Sequence, residues 1–191
     1  QYYLHNFLSS QPDLNFHQPE LRRAVLDNVR FWLDKGVDGL RLDAINFCFH
    51  DRALRDNPPK PVHERTTGGF SPENPYAYQY HRYDNTQPEN LQFLAELRAL
   101  LDEYPHAATL AEISSEDSIA TTAEYTTADR LHMGYSFELL SEEYSARHIR
   151  SVDEGFEAKL TDGWPCWAFS NHDVRRVVTR WGGEHPSKHL A

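Results

Sequence analysis

The stretch Gly36-Val37-Asp38-Gly39-Leu40-Arg41-Leu42-Asp43-Ala44-Ile45 decides how the chain is read. Leu40, Leu42 and Ala44 alternate with Arg41 and Asp43, the period of two that arises when a strand sends successive side chains to opposite faces. The apolar set must pack against a covering layer, so the charged pair is turned to the other side of a sheet. Just upstream, residues 19 to 35 read as a helix. Pro19 suits its first turn beside Glu20, Leu21, Val25, Val29 and Trp32 recur along one stripe, and Gly36 follows its end.

Working outward, the alternation repeats. A helix is predicted over 88 to 103, opened by Pro88 and Glu89 with Leu91, Leu94, Leu97 and Leu101 on one stripe, and then a strand over 107 to 113. Helix 116 to 125, strand 130 to 139, helix 148 to 160 and strand 164 to 170 follow. Strands separated by helices call for parallel pairing through crossover connections. The predicted class is therefore α/β: part of a (β/α)8 TIM barrel, about strands 4 to 7 with the intervening helices, incomplete at both ends. Between 50 and 87 the sequence is polar and irregular, broken by Pro58, Pro59, Pro61, Gly68, Gly69, Pro72 and Pro75 and carrying Tyr76, Tyr78, Tyr80 and Tyr83. A loop of that length is commonly a binding wall, and its tyrosines would either face flat polyhydroxylated ligands or pack the loop onto its scaffold. The chain opens on Gln1 without a targeting segment, and Pro186-Ser187-Lys188-His189-Leu190 begins to read as a further helix. An internal piece of a longer protein is expected.

Composition narrows the partners. The 191 residues are 39% apolar, enough for a sizeable core, and no apolar run approaches the roughly 18 residues that span a bilayer. With 29 acidic residues against 19 basic ones and a formal charge of −10, the surface repels phosphate backbones. Neither membrane nor nucleic acid is an expected partner. Cys48 and Cys166 sit in apolar, aromatic contexts and read as buried free thiols, so the compartment stays open with the cytoplasm as the default.

Three strand ends carry polar groups where apolar ones would be ordinary: Arg41 with Asp43, then Glu112, then Asn171-His172-Asp173. In a parallel barrel the carboxyl ends of the strands open on one mouth, which would gather Asp43, Glu112 and Asp173 around one cavity as an acid and base set. Each alone has a structural reading: Arg41 and Asp43 as an ion pair, Glu112 as a charge at a helix N-terminus, His172 as a packed imidazole. Structural pairs have no reason to collect at one edge, however. The 11 histidines lack metal-ligand spacing, and no glycine-rich phosphate loop or Gly-x-Ser-x-Gly frame is present, so no metal or cofactor is expected.

The segments 36 to 45, Ala111-Glu112-Ile113 and Ser170-Asn171-His172-Asp173 resemble, in order and rough separation, signature segments of the α-amylase family, glycoside hydrolase family thirteen. Gln11-Pro12-Asp13-Leu14-Asn15 is similar to a fourth, found in the α-glucosidase and oligo-1,6-glucosidase branch near the end of the small insertion domain. The resemblance implies that residues 1–18 are the tail of that domain and 19–191 part of the catalytic barrel. It also implies cleavage of α-glucosidic bonds of short oligosaccharides with retention. On the matching positions Asp43 would be the nucleophile, Glu112 the general acid and base, and Asp173 the third carboxylate. Arg41 would orient Asp43, while Asn171, His172 and, more distantly, Arg176 would contact substrate. Ala44, small and next to the nucleophile, matches the preference for α-1,4 over α-1,6 bonds. Two alternatives stay open: a glucosyl-transferring, isomerising or sucrose-hydrolysing relative, and a non-catalytic barrel serving as a binding module. The signature segment of the third barrel strand is missing, so the piece is expected to need the remainder of its own chain.

Overall fold

A computed structural model describes residues 2–65, 75–183 and 185–186. Gly68, Gly69, Pro72 and the expected helical residues Ser187 to Leu190 lie outside these. The elements run α1 (Pro19–Asp34), β1 (Gly39–Leu42), α2 (Glu89–Leu101), β2 (Ala108–Ile113), α3 (Ser118–Tyr125), β3 (Met133–Ser136), α4 (Ala146–Lys159), β4 (Trp164–Pro165) and α5 (Val177–Gly182). The four strands pair in parallel and in chain order, β1-β2-β3-β4, with helices between them. This is a section of a (β/α)8 barrel, with β1 and β4 at the two outer edges of the described sheet.

The main core lies between the sheet and its helices. Phe93, Leu94, Leu97, Leu100 and Leu101 of α2 are buried with Ala111 and Ile113 of β2, and Leu40, Leu42 and Val25, Leu26 and Val29 of α1 pack against them. At about 1.5–3 kcal/mol for each fully buried large apolar side chain, this face is the main force holding the layers together. A smaller cluster of Leu139, Val152 and Phe156 joins α4 to the segment after β3. Gly39 is required where β1 meets β2: a Cβ there would stand 2.8 Å from the Ala108 carbonyl oxygen.

Four expectations are corrected. The buried stripe of α1 centres on Val25, Leu26, Val29 and Leu33, whereas Trp32 is 55% exposed. Spacings of three and four through Leu33 turn Trp32 to the neighbouring face. The strand at 130–139 narrows to Met133–Ser136, because the chain turns into a 3₁₀ segment at Glu138–Leu140. The strand at 164–170 is only Trp164–Pro165, ending after Cys166 donates to the Gly134 carbonyl at 2.9 Å. Pro165 offers no N–H to the ladder, which weakens continuation. Cys48 and Cys166 are free, but both are partly rather than fully buried, and burial pushes the Cys48 thiol up to about 12.

The long loop folds back on itself through a bridge between Pro59 and Gln79, with Lys60 N–H donating to the Tyr78 carbonyl at 2.7 Å. It docks on the segments that follow β1 and β2, through Thr86 N–H to the Asn46 carbonyl at 2.7 Å and the buried Lys60 ammonium against Glu116 at 2.9 Å. Its tyrosines mostly serve the packing role: Tyr76 stacks on His81 with ring centres 3.7 Å apart, and the guanidinium of Arg55 lies 4.1 Å from the Tyr83 ring centre. Among the described residues no helix is long and apolar enough to cross a membrane.

Candidate active site

Register assembles the site. Arg41 pairs with Leu110 and Leu42 with Ala111, while Glu112 pairs with Tyr135 on the next strand. Partners across a parallel ladder point to the same side, so Arg41, Glu112 and Tyr135 share the face opposite the one that buries Ala111 and Ile113. Asp43 lies just past the last β1 pair and keeps the parity of Arg41.

The side chains on that face are joined. The Arg41 guanidinium donates through Nη1 to Asp43 Oδ1, and its Nη2 stands 2.8 Å from Glu112 Oε1 and 3.1 Å from the Tyr135 hydroxyl. Tyr135 in turn donates to Glu112 Oε1 at 2.6 Å, and the Ala44 N–H donates to Glu112 Oε2 at 3.2 Å. Both carboxylate oxygens of Glu112 are thus held. Ala44 can aim its N–H there because it adopts left-handed backbone angles, φ 41° and ψ 43°. That conformation is costly for a residue with a Cβ, by about 1–2 kcal/mol, and such strain tends to collect where function needs it.

The two carboxylates differ in surroundings. The Asp43 side chain is 75% exposed and that of Glu112 only 8%. Arg41 is fixed as a cation: desolvation opposes its charge, but bonds to Tyr135 and Asp43 outweigh this and raise its pKa. Burial, followed by the bond to Glu112, raises the Tyr135 phenol, which therefore stays a donor at neutral pH.

Asn171, His172 and Asp173 form a separate group. With β4 so short they lie in the loop between β4 and α5, not on a strand end. Asn171 Oδ1 accepts from the N–H groups of Asp173 at 3.0 Å and Val174 at 3.2 Å, and His172 Nε2 is 3.5 Å from Asp173 Oδ1. Among the described residues, no hydrogen bond or ion pair links this turn to Asp43, Glu112 or Arg41. Arg176 is exposed at the N-cap of α5.

Two residues escaped the sequence reading. Tyr135 lay within the predicted strand, and its alternation with Met133 was legible, but its pairing with Glu112 depends on register. Arg180, buried on α5, donates to the carbonyls of Phe169 at 2.7 Å and Arg175 at 2.6 Å, on either side of the Asn171–Asp173 turn, and to those of Ser141 and Leu139. Its location on a short helix gave no signal of that role. Among the described residues no cluster of three or more His, Cys, Asp or Glu side chains is arranged to hold a metal ion.

Comparison with known proteins adds a second line. The family model described as alpha amylase, catalytic domain, matches residues 1–191. A probable alpha-glucosidase of Rhizobium meliloti (strain 1021) is 51% identical over 185 residues, covering 95% of this chain and 33% of that protein. Maltase A2 of Drosophila melanogaster is 34% identical over 95% of this chain and 34% of its own length. Among solved structures, that of the alpha-glucosyl transfer enzyme XgtA is 68% identical, superposes with a TM-score of 0.95, and is matched over 97% of this chain and 35% of its own. The chain spans about a third of the length of these relatives.

Proposed function

The chain belongs to the α-amylase catalytic-domain family, and we propose that the protein containing it cleaves terminal α-glucosidic bonds of short oligosaccharides with retention of configuration. The observation that carries this reading is the exposed Asp43 just past the end of β1 and the buried Glu112 on the neighbouring β2, tied through one guanidinium. Adjacent strands are about 4.8 Å apart, close to the roughly 5–5.5 Å between the two carboxyl groups of a retaining glycosidase.

Asp43 Oδ attacks the anomeric carbon while protonated Glu112 gives its proton to the departing glycosidic oxygen, so that the C1–O bond breaks as the bond to Asp43 forms. Water then attacks the same carbon. Glu112 takes its proton, and the Asp43 ester is released. Arg41 holds and aims the Asp43 carboxylate through its guanidinium. Asn171, His172 and Asp173 hold sugar hydroxyls once the rest of the barrel brings that loop over the mouth, with Arg176 further out. Residues 1–18 end the small insertion domain, and the chemistry uses water and two carboxyl groups without a cofactor. Proton NMR of the glucose first released from 4-nitrophenyl α-glucoside tests this on the full-length protein: initial α-glucose is expected, and initial β-glucose overturns it.

A second reading has support of its own. The likeness to a glucosyl transfer enzyme favours an acceptor other than water in the second step. Product analysis with maltose and an added alcohol separates the two, since transfer yields glucosylated alcohol and hydrolysis yields glucose alone. Either way the outer edges of β1 and β4 need the remaining strands. The isolated 191-residue chain is expected to aggregate and to show no turnover.

A further inference from the structure

We propose that Tyr135 is a positioning residue for the acid and base step, fixing Glu112 through its hydroxyl and linking it to the arginine that holds Asp43. This rests on the roles assigned to Glu112 and Asp43 above. The geometry places the hydroxyl between the two halves of the machinery: it donates to Glu112 Oε1 at 2.6 Å and accepts from Arg41 Nη2 at 3.1 Å. Tyr135 is itself buried on β3, directly across the ladder from Glu112, so register and packing hold its hydroxyl beside the Glu112 carboxylate.

Among the described residues Glu112 has a single hydroxyl partner. Arg41 serves both carboxylates and the Ala44 N–H holds only Oε2, so the phenol is the neutral donor that pins Oε1. A donor fixed at Oε1 leaves Oε2, on the side of Ala44 and Asp43, as the oxygen that carries the proton to the leaving group. For that transfer the Ala44 contact must yield to substrate, whereas the Tyr135 bond persists and keeps the carboxyl plane oriented. Removing the phenol oxygen frees Glu112 to rotate toward Arg41. Asp43 stays clamped, so the attack on the anomeric carbon is spared while proton delivery is not.

The test separates these steps by leaving group. In the full-length enzyme, Tyr135→Phe is expected to lower kcat/KM for maltose by about 10- to 100-fold, the range of a hydrogen bond to a charged group. For 4-nitrophenyl α-glucoside, whose phenolate departs with little help, kcat/KM should fall less than about threefold by the same reasoning. Since kcat/KM reports only steps through the first bond cleavage, slow release of the glucosyl enzyme does not blur the contrast. 3-Fluorotyrosine at position 135, which keeps the hydroxyl and the shape, should restore maltose turnover to within a few-fold. Equal losses on both substrates, or an unchanged maltose rate in a variant with native melting temperature, overturn the proposal. Glu112→Gln run alongside distinguishes the underlying reading: if it still turns over maltose, the assignment of Glu112 fails. If it does not, while Tyr135→Phe affects both substrates alike, only the role of Tyr135 falls.

Discussion

Two groups of candidate site residues are held by different parts of this fold. Glu112 is carried by β2 and Asp43 sits one residue past the paired end of β1, so the ladder sets their spacing and Arg41 and Tyr135 lock it. Asp173 sits in a turn stitched by Asn171 and backed by Arg180, with the sheet contributing only through the short β4. On the roles proposed above, the difference teaches that the reacting pair is built at the paired strands, the part of the fold with the most cooperative support. The residues proposed to hold substrate ride on a loop, where position is adjustable.

The largest expected effect tests that division directly. Asp43→Asn in the full-length enzyme should lower turnover of maltose by about ten-thousandfold or more, as removal of a covalent nucleophile does elsewhere. Asp173→Asn, which would lose a charged hydrogen bond to substrate but keep the clamp, should lower kcat/KM by roughly a hundredfold. Steady-state kinetics of both variants decide it. Equal losses would place Asp173 within the reacting set and erase the contrast between ladder and loop.

Arg180 is the next lever. Its guanidinium satisfies four carbonyl groups, Phe169 and Arg175 on either side of the Asn171–Asp173 turn and Leu139 and Ser141 after β3, so Arg180→Ala should cost about 3 kcal/mol, seen as a lower midpoint in urea. The loss should concentrate on the loop, raising KM more than it lowers the rate with saturating substrate. A variant with unchanged KM would mean that the turn holds its own shape.

What could be seen in the sequence divides along the same line. Alternation at Leu40 to Ala44 placed Arg41 and Asp43 on the inner face correctly, because a strand's parity is a local property. Helices with three or four turns, such as α2, were legible from their stripes. The length of β4 was not, since Pro165 ends the ladder and aromatic residues 167 and 169 mimic a strand pattern that no partner extends. Trp32 misled for a related reason: a large apolar residue near a helix end can face outward at little cost when its neighbour Leu33 takes the buried position. The partnership of Tyr135 with Glu112 is non-local, fixed only when β2 and β3 choose their register.

That register can itself be probed at Gly39. A methyl group there would meet the Ala108 carbonyl oxygen at 2.8 Å, and backbone cannot yield as a side chain would. Gly39→Ala should therefore destabilise by about 2 kcal/mol, in the range of overpacked sites. Because β1 would shift against β2, activity should fall further than the loss of folded protein accounts for, as judged by specific activity normalised to native circular dichroism. Full specific activity would show that the Arg41 clamp tolerates a displaced strand.

The smallest expected effect concerns how the long loop is held. Both ring nitrogens of His81 face acceptors, Nδ1 against Asp84 Oδ2 at 2.6 Å and Nε2 against the Tyr76 carbonyl at 2.8 Å, with the Tyr76 ring stacked on the imidazole and Glu116 close by. Only the imidazolium can donate to both. Burial pulls its pKa down, but the Asp84 bond and the Tyr76 carbonyl outweigh it, and the net shift is upward. A raised folded value means that proton binding favours the closed loop. The contribution is therefore complete below the ordinary histidine range near 6.5 and fades as pH climbs through the folded value. Limited proteolysis of the full-length enzyme should cut within residues 50–87 faster as pH rises from about 6 to about 9, and His81→Gln should flatten that dependence. Cleavage that is insensitive to pH in the unaltered protein would assign the docking to the Lys60–Glu116 ion pair instead.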